Sequence, residues 1–441
     1  MSQPANLDKL RAFLLDSLSR ELEGRSPSSE PRQQAAARLM QLYERTGVHL
    51  DDNQRDRLMR EVMDEVVGYG PIQPLLDDPS ISEIMVNGPG LVFIERQGEL
   101  FETGVKFRDE NHVMHVIDRI VLPLGKRVDR DNPMVDARLP TGERVNVVIP
   151  PVSIVGPCIT IRKFLRNKMT MEDLIAMGSL TEHMSEFLQA CVAARLNMLV
   201  SGPTSSGKTT FLNVLTSFIP EHERILTIED AAELQLKQKH LIAMETRPPG
   251  VDGTGAVTTR DLGRNTLRMR PDRIIIGEVR SVEALDMLQA MNTGHYGSLT
   301  TIHANSPRDA TSRLETMVLM AGLDLPLIAI RRQIASAIQL VIHQARLSDG
   351  TRKTTQITEI SGMEGDVITM SDLFKFDQTG VDASGKIIGR MVPTGLRPMF
   401  SPRLEMVGYR LRPEIFGVTA GKTRSDGTPY SESRSSSRGS S

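Results

Sequence analysis

Residues 202–209 read Gly-Pro-Thr-Ser-Ser-Gly-Lys-Thr, a glycine and four variable positions followed by Gly-Lys-Thr. That spacing can wrap a phosphate. Glycines let successive backbone N–H groups turn inward, and a helix that starts at the lysine adds about half a positive charge at its N-terminus. The chemistry implied is nucleotide binding by Gly202, Pro203, Thr204, Ser205, Ser206, Gly207, Lys208, Thr209 and Thr210. Lys208 would reach the β- and γ-phosphates of ATP, and the Thr209 hydroxyl would hold Mg2+. Such a motif carries weight only between a strand and a helix. Asn197–Ser201 is an apolar strand pattern and Thr209–Phe218 a helical one, so both flanks are present. A second Gly-Lys-Thr at 421–423 lacks the upstream glycine and strand, and is not read as a site.

Hydrolysis also needs carboxylates for the metal and the attacking water. Ile225–Ile228 is a strand pattern ending in Glu229 and Asp230, with Glu233 close behind, and Arg273–Gly277 is another ending in Glu278. Open parallel sheets bind ligands at the carboxyl ends of their strands. Acids ending the strands after the phosphate loop therefore converge on the nucleotide. Around a further strand, Ser298–Ile302, stand His295 and His303, which can sense a γ-phosphate through hydrogen bonds.

The elements that must position these groups follow from composition and period. At about 150 residues per domain, 441 residues suggest roughly three domains. The net charge of −2 advertises neither nucleic acid nor an anionic membrane, and no direct nucleic-acid partner is expected. The chain has no Trp, 5 Tyr and 12 Phe beside 23 Met, which argues against a stacking groove for single strands. Two cysteines, Cys158 and Cys191, cannot build a disulfide framework or a four-cysteine zinc site. Met1–Asn6 has no signal-peptide character. The longest apolar stretch, Val145–Ile161, is broken by three prolines, a glycine and an asparagine, so no transmembrane segment and a cytoplasmic location are expected.

Leu7, Leu10, Leu14, Leu18 and Leu22 recur at helical spacing, and a polar linker follows at 24–34, closing a first segment at 1–34. Residues 35–77 read as a helical bundle segment, with helices near 35–45 and 51–67 and Asp51 or Asp52 as cap. Residues 78–165 alternate short strands (84–86, 91–95, 99–107, 135–139, 144–149, 158–162) with a helix at 111–121, an α+β pattern. After a connection at 166–169, apolar strands alternate with helices over 171–370, an α/β unit. Residues 371–418 read as a mixed extension, and the Ser/Arg-rich 419–441 as disordered.

In this order, Gly202–Thr209, Ile225–Glu233, Ile274–Glu278 and Gly294–His303 resemble the four boxes of the type II and type IV secretion-superfamily ATPases. Among these, the segments GYGPIQPLL, EIMVNGP, VDARLPTGERVNVVIPP, SGPTSSGKTTFLN, RPPGVDGTG and TLRMRPDRIIIGEVR most resemble the tight-adherence pilus ATPases, CpaF or TadA. The likeness runs from about Glu61 to Gly417. It implies a RecA-like ATPase domain preceded by a smaller, PAS-like α+β domain and a helical extension. It further implies a homohexamer that docks on inner-membrane pilus platform proteins and assembles, or also retracts, a filament.

Carried over by position, Lys208 and Thr209 bind phosphates and Mg2+, Glu233 and Glu278 polarise water and organise the metal, and either Glu229 or Asp230 remains open as base. His303 ends the His box, and Arg138, Arg144 and Arg162 match arginines that the N-terminal domain supplies to nucleotide. Two cysteines cannot supply the zinc element of the type II branch, and His303-Ala304-Asn305 resembles the CpaF and conjugation-type members. The alternative implied function is a type IV secretion ATPase for conjugative DNA or effector translocation.

Overall fold

The computed structural model describes residues 4–22, 32–96, 98–163, 169–250 and 253–417, and the chain divides after residue 167 into two compact units. The expected tail at 419–441, most of the linker at 24–34 and most of the connection at 166–169 lie outside the described residues.

The first unit opens with three helices, α1 (Pro4–Leu22), α2 (Arg32–Arg45) and α3 (Asp52–Val66). Leu10, Leu14, Leu18 and Leu22 pack against Leu39, Leu42, Leu58 and Val62 in a core of their own. Leu7, expected on the same face, is exposed, and Arg32–Gln34, expected as linker, are the first turn of α2. Asp51 caps α3 by accepting the N–H of Gln54.

A short helix α4 (Gln73–Asp77) leads to six strands: β1 (Ile81–Asn87), β2 (Val92–Arg96), β3 (Glu99–Glu102), β4 (Met134–Arg138), β5 (Arg144–Val148) and β6 (Cys158–Arg162). They pair antiparallel in the order β3-β2-β1-β6-β5-β4. Without the edge strand β3 this is the strand order of a PAS-like sheet. The expected strand at 99–107 stops at Glu102: Thr103 still bonds Val92, after which the chain leaves β2 and the Phe107 N–H bonds the Pro89 carbonyl. Helix α5 (Glu110–Val121) covers one face. Its Val113, Val116 and Ile117 meet Ile84, Val86, Val145, Val147, Ile159 and Ile161 from alternate strand positions. Glu83, Arg144 and Arg162 therefore sit on the other face.

The second unit contains α6 (Met171–Ala176), α7 (Glu182–Ala193), β7 (Met198–Gly202), α8 (Lys208–Thr216), β8 (Ile225–Glu229), β9 (Leu241–Glu245), α9 (Thr259–Thr266), β10 (Arg273–Ile276), α10 (Glu283–Asn292), β11 (Leu299–His303), α11 (Pro307–Leu319), α12 (Leu327–Ala337) and β12 (Leu340–Arg346). It ends in β13 (Arg352–Glu364), β14 (Val367–Val381), β15 (Ile387–Pro393) and α13 (Ser401–Met406). The sheet order is β15-β14-β13-β12-β7-β11-β10-β8-β9. From β12 to β9 every pair is parallel, whereas β12, β13, β14 and β15 pair antiparallel.

The parallel part, with the phosphate-loop strand β7 between β12 and β11 and then β10 and β8, has the RecA-like order. Its strands are buried on both faces, so they are apolar runs without alternation. One face packs on α7 and α8, the other on α10, α11 and α12. The division expected at 370 and 371 falls inside β14, because the sheet continues through β15. Residues after β15 return to the core: Phe400 and Phe416 join Phe187 and Phe374, with ring centroids 5.6–6.2 Å apart. The aromatic-poor chain thus concentrates four of its Phe at one point.

Candidate nucleotide site

The phosphate loop leaves the carboxyl end of β7 and enters α8, as its flanking patterns require. Gly207 precedes the helix with φ +92°, a left-handed conformation that favours glycine. Inside the loop, Ser205 also holds a positive φ of +61°. The Lys208 Nζ donates to the Pro203 carbonyl at 3.0 Å and stands 3.3 Å from the His303 Nδ1. Burial lowers the pKa of Lys208, and Glu278 opposes that shift.

β11 lies between β7 and β10 and pairs His303 with Gly202, which fixes the histidine beside the loop. Its Nε2 is 2.7 Å from the Glu278 Oε1. A neutral ring with its proton on Nε2 accepts from Lys208 at Nδ1 and turns its N–H side toward the carboxylate, so one tautomer suits both neighbours. Burial, and then the Lys208 charge, push the His303 pKa down and favour that neutral form. The Arg280 Nη2 donates to Glu278 Oε2 at 2.8 Å, and its Nη1 lies 3.2 Å from Asp230 Oδ2. The Glu278 hydrogen bond raises the Arg280 pKa. Lysine, histidine, glutamate, arginine and aspartate thus form one continuous chain.

The acids after β8 behave differently. Glu229 is buried, and its Oε2 accepts the N–H groups of Glu233 and Leu234 at 2.7 and 3.0 Å. Gly277 makes room for it, since a Cβ there would come within 2.9 Å of the Glu229 Cγ. Glu233 is half-buried in an irregular segment, and its charge acts on Arg280. The two candidate histidines separate: His303 is at the carboxyl end of β11, whereas His295 precedes the strand's other end, away from the loop.

In the first unit, Arg138, Arg144 and Arg162 occupy facing positions on β4, β5 and β6, and Arg162 in turn faces Glu83 on β1. Three arginines from three successive strands therefore make one row across the sheet.

A sequence profile of the family "Type II/IV secretion system protein" matches residues 65–384, more than half of the chain. The chain belongs to that family. A Mycobacterium tuberculosis relative named for conjugal transfer is 36% identical over 316 residues, covering 70% of this chain and 89% of its own. The conjugal transfer protein TrbB of Rhizobium radiobacter is 32% identical over 311 residues, 69% of this chain and 91% of its own. The type IV secretion system protein VirB11 of Brucella suis is 33% identical over 310 residues, 64% of this chain and 86% of its own. The crystal structure of the Brucella suis VirB11 ATPase with sulphate covers 65% of this chain and 91% of its own at 33% identity, with a TM-score of 0.36.

Three contacts of this secretion-system protein escaped sequence reasoning. Arg280 lies two residues after Glu278, so sign alternation along Glu278-Val279-Arg280 was a usable signal. The other two carried none. Arg352 donates to the Ser205 carbonyl from 147 residues away, and His343 meets Ser201 from 142 away.

Proposed function

We propose that this secretion-family protein is an ATP hydrolase that works as a motor, and that its hydrolytic site is the chain running from Lys208 through His303 to Glu278. That chain carries the reading. A phosphate-binding lysine stands 3.3 Å from a neutral histidine, which stands 2.7 Å from a carboxylate, at the carboxyl ends of adjacent parallel strands. Bound triphosphate gives Lys208 a stronger partner than Pro203 and His303. His303 is then free to report the γ-phosphate to Glu278, which orients the attacking water. Glu233, Glu229 and Asp230 complete the acidic side of the site.

Among the described residues no group of three or more His, Cys, Asp or Glu side chains can hold a metal alone. Mg2+ therefore fits as a partner of the nucleotide, held by Thr209 at the start of α8 and, through water, by Glu278, whose own oxygens already face His303 and Arg280. When bound, the ion neutralises charge on the phosphate oxygens. Arg138, Arg144 and Arg162 are proposed to act on the nucleotide as a group.

The relatives' names, conjugal transfer and type IV secretion, support a motor for DNA or effector translocation better than they support tight-adherence pilus assembly. The pilus reading rests on the motif likeness to CpaF or TadA and on the three-helix segment that precedes the family match. In either case the proposed working form is a homohexamer at the cytoplasmic face of the membrane, moving through membrane partner proteins. No helix among the described residues is long and apolar enough to cross a membrane itself. The test is ATP hydrolysis by the purified full chain. Lys208→Ala abolishes it, and Glu278→Gln lowers it at least about 100-fold while nucleotide still binds. Turnover surviving in Lys208→Ala would overturn the reading.

A further inference from the structure

The β12–β13 hairpin grips the phosphate loop along its length. β12 runs beside β7 and pairs His343 with Ser201, and there the buried His343 Nδ1 lies 2.9 Å from the Ser201 Oγ. One residue on, the Gln344 carbonyl occupies the space where a Cβ on Gly202 would come within 2.3 Å, so the loop begins tight against the strand. β12 turns at 347–351 and returns as β13, whose first residue is Arg352. The Arg352 Nε donates to the Ser205 carbonyl at 2.9 Å, and its Cδ would lie 3.4 Å from a Cβ at Gly207.

The base of that arginine is held from two directions. Ser179 Oγ donates to the Arg352 carbonyl at 2.6 Å, and Asp349 in the turn accepts from the Thr351 N–H and hydroxyl and from the Ile387 N–H. Arg352 is therefore a cation on a braced hairpin, tied to the backbone of the one loop residue that carries a side chain at positive φ. Such a backbone conformation persists only when its surroundings over-determine it. A planar peptide aims its C=O and the next N–H in opposite directions. Holding the Ser205 carbonyl on Arg352 thus keeps the Ser206 N–H turned to the Pro203 carbonyl, the same oxygen that receives Lys208. The turn is fixed from outside by Arg352 and from inside by Lys208.

We infer that Arg352 is a positioning residue for nucleotide: it holds the phosphate loop in its binding shape before the ligand arrives. The inference rests on the nucleotide reading proposed above. Arg352 acts on the loop and not on one phosphate, so diphosphate and triphosphate depend on it equally, and the chemical step depends on it little.

The experiment is fluorescence titration of the full chain with mant-ADP and with a non-hydrolysable ATP analogue, with Lys208→Ala as the non-binding reference. Arg352→Ala raises both dissociation constants about tenfold, a change equivalent to about 1.4 kcal/mol. Arg352→Lys, which keeps a donor of similar reach, returns both to within about threefold of the wild type. KM for ATP rises in Arg352→Ala while kcat stays near the wild-type value, and the unfolding midpoint without nucleotide does not move. Unaltered binding by Arg352→Ala overturns the inference alone. So does a loss confined to the triphosphate analogue, which marks a direct contact with the third phosphate, or a lowered midpoint without nucleotide, which marks a structural brace. Wild-type chain that fails to bind mant-ADP overturns the nucleotide reading and this inference together.

Discussion

The charged groups of the two units are arranged on opposite rules. At the phosphate loop, Lys208, His303, Glu278, Arg280 and Asp230 follow one another at 3.3, 2.7, 2.8 and 3.2 Å, with cationic and anionic groups alternating around a neutral imidazole. On the first unit's sheet, Arg138, Arg144 and Arg162 face one another across three neighbouring strands, and Glu83 faces Arg162 on the next strand. Facing cross-strand residues of like charge destabilise a sheet, whereas opposite charges support it. The alternating chain sets opposite charges beside one another, whereas the arginine row sets like charges on neighbouring strands.

The sharpest contrast is between a fully buried, ion-paired arginine and a member of that row. Arg273, fully buried, donates to both oxygens of Glu223 at 2.6 and 3.3 Å and to the Val192 carbonyl at 2.8 Å. Removing one partner of such a pair leaves a buried charge, so Arg273→Met should lower stability by about 3–5 kcal/mol in urea unfolding.

Next in size is a titration. Burial holds His343 at a pKa of about 4 against an ordinary 6.5, with the Lys208 charge helping and Asp309 opposing. The unfolded chain takes up that proton first, so stability falls as pH drops from about 6.5 to about 4, by about 3 kcal/mol in total, and is level above this window. His343→Gln removes this slope, which urea midpoints at pH 7 and pH 5 will register as a smaller difference than in the wild type.

The smallest stability effect is predicted for the row. Arg144→Gln should change unfolding by less than about 1 kcal/mol, the scale of a cross-strand pair. It should nonetheless lower ATP hydrolysis by about tenfold or more. If Arg144→Gln costs as much stability as Arg273→Met, the row is a structural device and the comparison collapses.

Much of the site was legible before any fold was known. Gly202–Thr209 is a contiguous motif whose spacing is its geometry, and Glu278 and His303 each end an apolar strand run that could be recognised by itself. Period and capping gave α3 and α5 to within a residue at each end. What failed did so for one reason. The arginine row, the Arg352 tie and the His343–Ser201 contact depend on which strands are neighbours and in what register, and neither is local information. Glu229 shows the same limit: in sequence it stays open as base beside Asp230, yet one of its oxygens is engaged by the backbone N–H groups of Glu233 and Leu234. The strand β9 pairs with β8 at the sheet edge, and its short LIAME run stood out from no background.

By itself, then, the sequence determined that a phosphate loop stands between a buried strand and a helix, that acids and a histidine end the following strands, and that no four-cysteine zinc site exists. These are statements about adjacent residues, and chain connectivity enforces them. Only the tertiary structure decided that His303 rather than His295 stands at the loop, that three arginines share a row, and that a hairpin more than a hundred residues downstream bonds the loop's backbone. Strand order and register bring such groups within hydrogen-bond distance, and both are set by burial summed over the whole sheet.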